Sequence, residues 1–75
     1  MKIYLHEQVK NIIAKLNWTH SDFGDKIDCD ASYATKLLNG DMEASPKRRR
    51  KIMKALPEYD FNDLFIIENS NFNNQ

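Results

Sequence analysis

The sequence predicts an all-α domain built from five short helices. Three observations carry that prediction. Apolar residues recur at helical spacing, first at Leu5, Val9, Ile12, Ile13 and Leu16. Residues suited to helix N-caps stand just ahead of such stretches: Thr19, Asp30, Ser45 and Asp60. Residues that end helices follow them: Asn39-Gly40 and Pro57. With 75 residues the chain makes one domain, and its core is small.

The first helix covers about residues 4–16. Ile3 and Tyr4 either begin it or pair elsewhere in the chain. Asn17-Trp18 leads to the cap Thr19, and Trp18 is placed to pack back on the next turn as a hydrophobic staple. Helix two spans about residues 20–27 and packs through Phe23, Gly24 and Ile27. Asp28 falls in a turn that wants a positive φ; Gly supplies it most cheaply, and Asp is among the next most tolerant residues. Gly24 costs its helix up to ~1 kcal/mol, so we read it as permitting a close crossing of helices two and three.

Helix three runs over about residues 31–38, is capped by Asp30 and packs through Ala34 and Leu37. Residues 41–44 form a polar loop. Ser45-Pro46 then starts helix four, over about 46–56, with Ile52, Met53, Ala55 and Leu56 inward. Asp60 caps helix five, over about 61–66, whose apolar residues are Phe61, Leu64, Phe65 and Ile66 or Ile67. The amide-rich residues 68–75 are expected to be a flexible polar tail with Phe72 as its apolar anchor.

Two short helices joined by a tight turn, 20–27 and 31–38, read as a helix-turn-helix. In that arrangement the second helix is free to lie in the DNA major groove. Residues 1–67 are therefore expected to be a helix-turn-helix DNA-binding domain. A formal net charge of zero argues against nonspecific nucleic-acid binding, but the charges are unevenly placed. Asp22, Asp25, Asp28 and Asp30 crowd the middle, and the run Lys47-Arg48-Arg49-Arg50-Lys51 follows, with Lys54. Local field matters more than total charge for a small DNA reader.

One cysteine, Cys29, excludes an internal disulfide and suits a reducing cytoplasm. No long apolar run marks a signal peptide or a spanning helix, so no membrane partner is expected. His6, His20 and Cys29 lack metal-ligand spacing. The only glycines, Gly24 and Gly40, cannot form a phosphate-cradling loop. We expect no enzyme activity, cofactor, metal or small-molecule ligand.

The run Thr19-x-x-x-Phe23-Gly24-x-x-Ile27-Asp28-Cys29-Asp30-x-Ser32-Tyr33-x-x-Lys36-Leu37-Leu38-Asn39-Gly40 has a family likeness. Together with Ser45-Pro46, Lys51-Ile52-Met53-Lys54-Ala55-Leu56 and Asp63-Leu64-Phe65, it resembles the lambda-repressor-like domain of Cro-type phage regulators. The resemblance covers about residues 5–66. Leu37-Leu38-Asn39-Gly40 and Ile52-x-Lys54-Ala55-Leu56 are its most specific parts. There are departures. Asp28 stands where the family usually has Gly, and His20 where a Gln commonly touches a phosphate. Arg49 stands where Leu is usual, so its stem is expected to cover the core while its head reaches water. Pro57-Glu58-Tyr59-Asp60 replaces a short Gly-containing link. The resemblance also puts Cys29 at a buried apolar position, as a packed thiol.

The resemblance implies that the first turns of helix three face base edges through Ala31, Ser32, Tyr33, Thr35 and Lys36. Lys36 can donate to guanine O6 and N7, Ser32 and Thr35 can donate or accept, and Ala31 and the Thr35 methyl suit a thymine methyl. Tyr33 contacts either a base or the backbone. Asp30 could accept from cytosine N4, but phosphates repel a carboxylate, and an N-cap role is worth roughly 1 kcal/mol. Phosphates are expected at helix N-termini, where free N–H groups point outward. Those positions bring Thr19, His20 and Lys47; Arg48 is a second long-range clamp, and the family likeness adds Asn39. Arg50, Lys51 and Lys54 are either further contacts or a solvated face.

The expected function is a sequence-specific regulator, a Cro-like phage or mobile-element repressor that binds double-stranded operator DNA. A homodimer, joined through Tyr59, Phe61, Phe65, Ile66, Ile67 and Phe72, would meet half-sites about 34 Å apart. The alternative is a protein-interaction module on the same fold: an antirepressor, an antitoxin or an inhibitor of a nucleic-acid-binding protein. In that case Asp22, Asp25 and Asp28 would mimic phosphates toward a basic partner.

Overall fold

A computed structural model describes residues 1–68. It is a compact helical domain of five helices closed by a short two-stranded sheet. The order is β1 (Lys2–Leu5), α1 (Gln8–Lys15), α2 (His20–Ile27), α3 (Ala31–Leu38), α4 (Pro46–Ala55), α5 (Phe61–Leu64) and β2 (Phe65–Glu68).

The sheet corrects the all-α expectation. The first and last predicted helices are shorter than expected because their outer ends pair with each other. β1 and β2 run antiparallel, with Lys2 opposite Glu68 and Leu5 opposite Phe65. The ladder continues past the strands, where the His6 N–H donates to the Leu64 carbonyl at 2.8 Å. Ile3 and Tyr4 thus pair elsewhere rather than starting α1. Glu68, assigned to the tail by the sequence, ends β2. The rest of the tail, Phe72 included, lies outside the described residues.

Four helices start as the capping residues predict. Thr19 Oγ1 accepts the Asp22 N–H at 3.0 Å, and Asp22 Oδ2 accepts the Thr19 N–H at 2.9 Å, a reciprocal capping box. Asp30 Oδ1 accepts the Tyr33 N–H at 2.8 Å and Ser45 Oγ accepts the Arg48 N–H at 3.3 Å. Asp60 and Asp63 form a second box. At the start of α1, the His6 Nδ1 accepts the Gln8 N–H at 3.0 Å.

The first three helices each end at a residue of positive φ. α3 closes with Gly40 at φ 78°, the Asp41 N–H on the Lys36 carbonyl and the Gly40 N–H on the Leu37 carbonyl. This is a Schellman motif. α1 closes the same way with Asn17 at φ 63°, its neighbour Trp18 donating to Ile13. α2 ends on Asp28 at φ 69°, and Cys29 donates to the Gly24 carbonyl. The positive φ expected at Asp28 is present; the one at Asn17 was not anticipated.

One core joins all seven elements through Leu5, Val9, Phe23, Ile27, Leu37, Ile52 and Leu64, with Phe65 and Leu56 closing its ends. Met53, expected to face inward, is exposed, and Ala55 is half-buried. Arg49 is half-buried and makes a contact the sequence did not indicate. Its Nη1 donates to the Ala44 carbonyl at 2.7 Å, so the head ties down the preceding loop. The same loop is fixed to β1 by the Ala44 N–H on the Ile3 carbonyl.

Candidate nucleic-acid interface

The turn between α2 and α3 decides how α3 is displayed. A Cβ built on Gly24 would stand 2.7 Å from the Cys29 carbonyl oxygen and 3.1 Å from that of Asp30. Real Cβ atoms do not approach so closely, so glycine is what lets α2 lie against the start of α3. Asp28 adds a weak tether from the turn to α4, its carboxylate 3.7 Å from Lys51 Nζ on the surface.

Held this way, α3 buries Ala34, Leu37 and Leu38 and turns Ala31, Ser32 and Lys36 to solvent. Those three and the half-buried Thr35 line one shallow surface hollow. Thr35 is not a loose hydroxyl. Its Oγ1 lies 2.9 Å from His20 Nδ1, a hydrogen bond that ties the first turn of α2 to the middle of α3. Of the residues expected at phosphates, Thr19, His20, Asn39 and Lys47 are exposed. Thr19 and His20 begin α2, Lys47 sits in the first turn of α4, and Asn39 follows the last turn of α3.

Arg48 is placed differently from the free clamp the sequence suggested. Its guanidinium lies over the Tyr33 ring, 5.3 Å from the centroid. Its Nε and Nη1 are buried and have no hydrogen-bond partner among the described residues. The side chain is folded onto α3 rather than extended into solvent. Tyr33 is correspondingly half-buried and packs against the core. Two predicted contact residues therefore make each other's environment. They stand fifteen positions apart, and no local pattern in the sequence marks that pairing.

The electrostatics of this region are mostly internal. The Thr19 backbone N–H and then its hydroxyl hold the Asp22 carboxyl below its ordinary value. Asp30 serves as the α3 cap. Cys29 is half-buried, and burial pushes its thiol up, against the pull of the nearby Arg48. A raised thiol is poorly nucleophilic, in keeping with the packed role expected for it. Among the described residues no group of three or more His, Cys, Asp or Glu is placed to hold a metal. No helix among them is long and apolar enough to cross a membrane.

The residues expected at a dimer contact divide. Phe65 is buried in the chain's own core, while Phe61 and Tyr59 are half-buried against it. The Phe61 and Phe65 rings pack together with centroids 4.9 Å apart. Ile66 and Ile67 are left 44% and 51% exposed, the only large exposed apolar side chains among the five of these residues that the structure describes. Comparison with family models, curated proteins and solved structures finds no match.

Proposed function

We propose that the chain is a sequence-specific DNA-binding regulator in which α2 and α3 act as a helix-turn-helix of the lambda-repressor-like, Cro-type kind. One observation carries the reading: α3 is buried on its apolar side and bare on a polar side containing Ser32 and Lys36. Had those two side chains been covered by the rest of the chain, the reading would have ended there. In this proposal Ala31, Ser32, Thr35 and Lys36 meet base edges. Thr19, His20, Asn39 and Lys47 meet phosphates and set the register. Tyr33 is steadied by Arg48 and lies at the edge of the interface.

The acidic alternative loses support at individual residues. Asp22 is engaged in a capping box, Asp30 caps α3, and Asp28 faces Lys51. Three of the four central carboxylates thus have local structural roles. As a repressor, the chain would act as a homodimer on a near-palindromic operator in the cytoplasm, with Ile66 and Ile67 at the contact.

The test is an operator selection followed by two variants. Lys36→Ala is expected to cost about 1–3 kcal/mol and to relax base preference at one position. Lys47→Ala is expected to weaken all sequences about equally and to flatten the salt dependence. Wild-type binding by both variants would remove the site assignment. No duplex binding by the wild type at low salt would move the assignment to a protein-interaction module.

A further inference from the structure

Arg50, Lys51 and Lys54 of α4, which the reading above leaves unused, lie together with Lys47. Lys47, Arg50, Lys51 and Lys54 follow the spacing of one helix face and border a shallow hollow of about 360 Å³. Lys51 and Lys54 also border an adjoining hollow of about 420 Å³, where Lys26 of α2 joins them beside Trp18. Lys26 is held there: its Nζ lies 4.6 Å from the Trp18 ring centroid.

These five cations are nearly half of the 11 basic residues in a chain of zero net charge. Among the described residues no carboxylate lines either hollow; Asp28 reaches Lys51 from the rim. The strip shares no lining residue with the α3 hollow of Ala31, Ser32, Thr35 and Lys36. It starts at Lys47, already placed against phosphate in the proposal above, and runs toward the far end of α4. At 1.5 Å per residue that is about 10 Å, the axial span of roughly three phosphates on one strand.

We propose that this strip seats the phosphate backbone of the duplex flanking the bases that α3 reads. The footprint on DNA then extends past the recognition helix, and affinity depends on the length of flanking duplex but not on its sequence. This inference rests on the DNA-binding reading above. Charge and continuity choose the occupant: a surface lined by cations begins at a residue already assigned to the backbone.

The double variant Arg50→Gln/Lys54→Gln tests it. Both residues are exposed and neither is assigned to another contact, so the thermal melt should match that of the wild type. Binding is measured over a salt series on two duplexes sharing the selected site. One is about one helical turn long; the other adds about one turn on each side. The wild type is expected to bind the long duplex more tightly and with a steeper salt slope. The variant should lose that gain, with a slope on the long duplex shallower by about 1.8, or about 0.9 per lost contact. Its base preference and its affinity for the short duplex should be unchanged. Equal slopes and affinities for variant and wild type on the long duplex would overturn the inference, as would happen if the strip docked an acidic protein. A wild type that binds neither duplex at low salt overturns the parent reading, and this one with it.

Discussion

Gly24 and Asp22 show how single residues in the turn and cap set what the rest can do. At Gly24 two effects oppose each other. Alanine would favour the helix by up to ~1 kcal/mol. Its Cβ, however, would press on the Cys29 carbonyl at 2.7 Å, a backbone group that cannot rotate aside. Overpacking of this kind costs about 1–3 kcal/mol. Gly24→Ala is therefore expected to destabilise the domain in urea unfolding, and to displace α3 enough to weaken operator binding. A variant of unchanged or greater stability would show that the turn relaxes freely. Asp22 acts through charge. Its carboxyl is held low because the folded state hydrogen-bonds the ionised form, first through the Thr19 N–H. A depressed folded value means stability that is present above the unfolded value and lost as the pH falls through the folded one. Asp22→Asn should melt below the wild type at neutral pH, and the gap should close as the pH drops below the ordinary value of 3.8. A gap independent of pH would mean that the amide and the carboxylate differ for another reason.

The elements differ in how far local sequence specifies them. α2, α3 and α4 carry their own start and stop signals, so Thr19, Asp30 and Ser45 mark starts that the structure keeps. The strands carry none. Lys2–Leu5 and Phe65–Glu68 are four residues each, too short for a period of two to declare itself, and Leu5 also continues the apolar spacing of α1. The two segments become strands only because each supplies the other's hydrogen bonds from opposite ends of the chain. Alternation along β2 accounts for Phe65 pointing into the core and Ile66 away from it, whereas Ile67 shares the side of Phe65 and is nevertheless 51% exposed. Phe65→Ala should therefore cost about 3–5 kcal/mol as a core truncation. Ile67→Ala should stay within about 0.5 kcal/mol of the wild type at concentrations where both are monomeric, the range of an ordinary surface change. Thermal or urea unfolding of the two variants compares them directly; equal losses would mean that Ile67 is covered after all.

At the scale of the whole molecule, the described residues present three surfaces of different character: the polar side of α3, the cationic side of α4, and the apolar pair on β2. In the proposed function one domain of this size makes a modest interface with one half-site, so the proposed dimer would place Ile66 and Ile67 against a second copy. Ile67→Lys is expected to shift the sedimenting species toward monomer and to weaken a palindromic operator more than an isolated half-site. Dimers of unchanged strength would remove β2 from the contact. Legibility in the sequence follows the range of the interaction. Helix number, caps, the left-handed turn at Asp28, the tight crossing at Gly24 and the exposed side of α3 could all be read from the chain. Each is set by neighbours within a few residues, where backbone sterics and helical period act directly. The β1–β2 ladder, the stacking of Arg48 on Tyr33, the His20–Thr35 hydrogen bond, the Arg49 anchor on Ala44 and the cationic strip shared by α2 and α4 emerged only with the fold. Most of these join groups far apart along the chain. The Arg49 anchor is closer in sequence, but it formed because the packed loop presented a carbonyl to that side chain. In each case the partner was chosen by which surfaces the small core brought into contact, and residue order alone does not encode that choice.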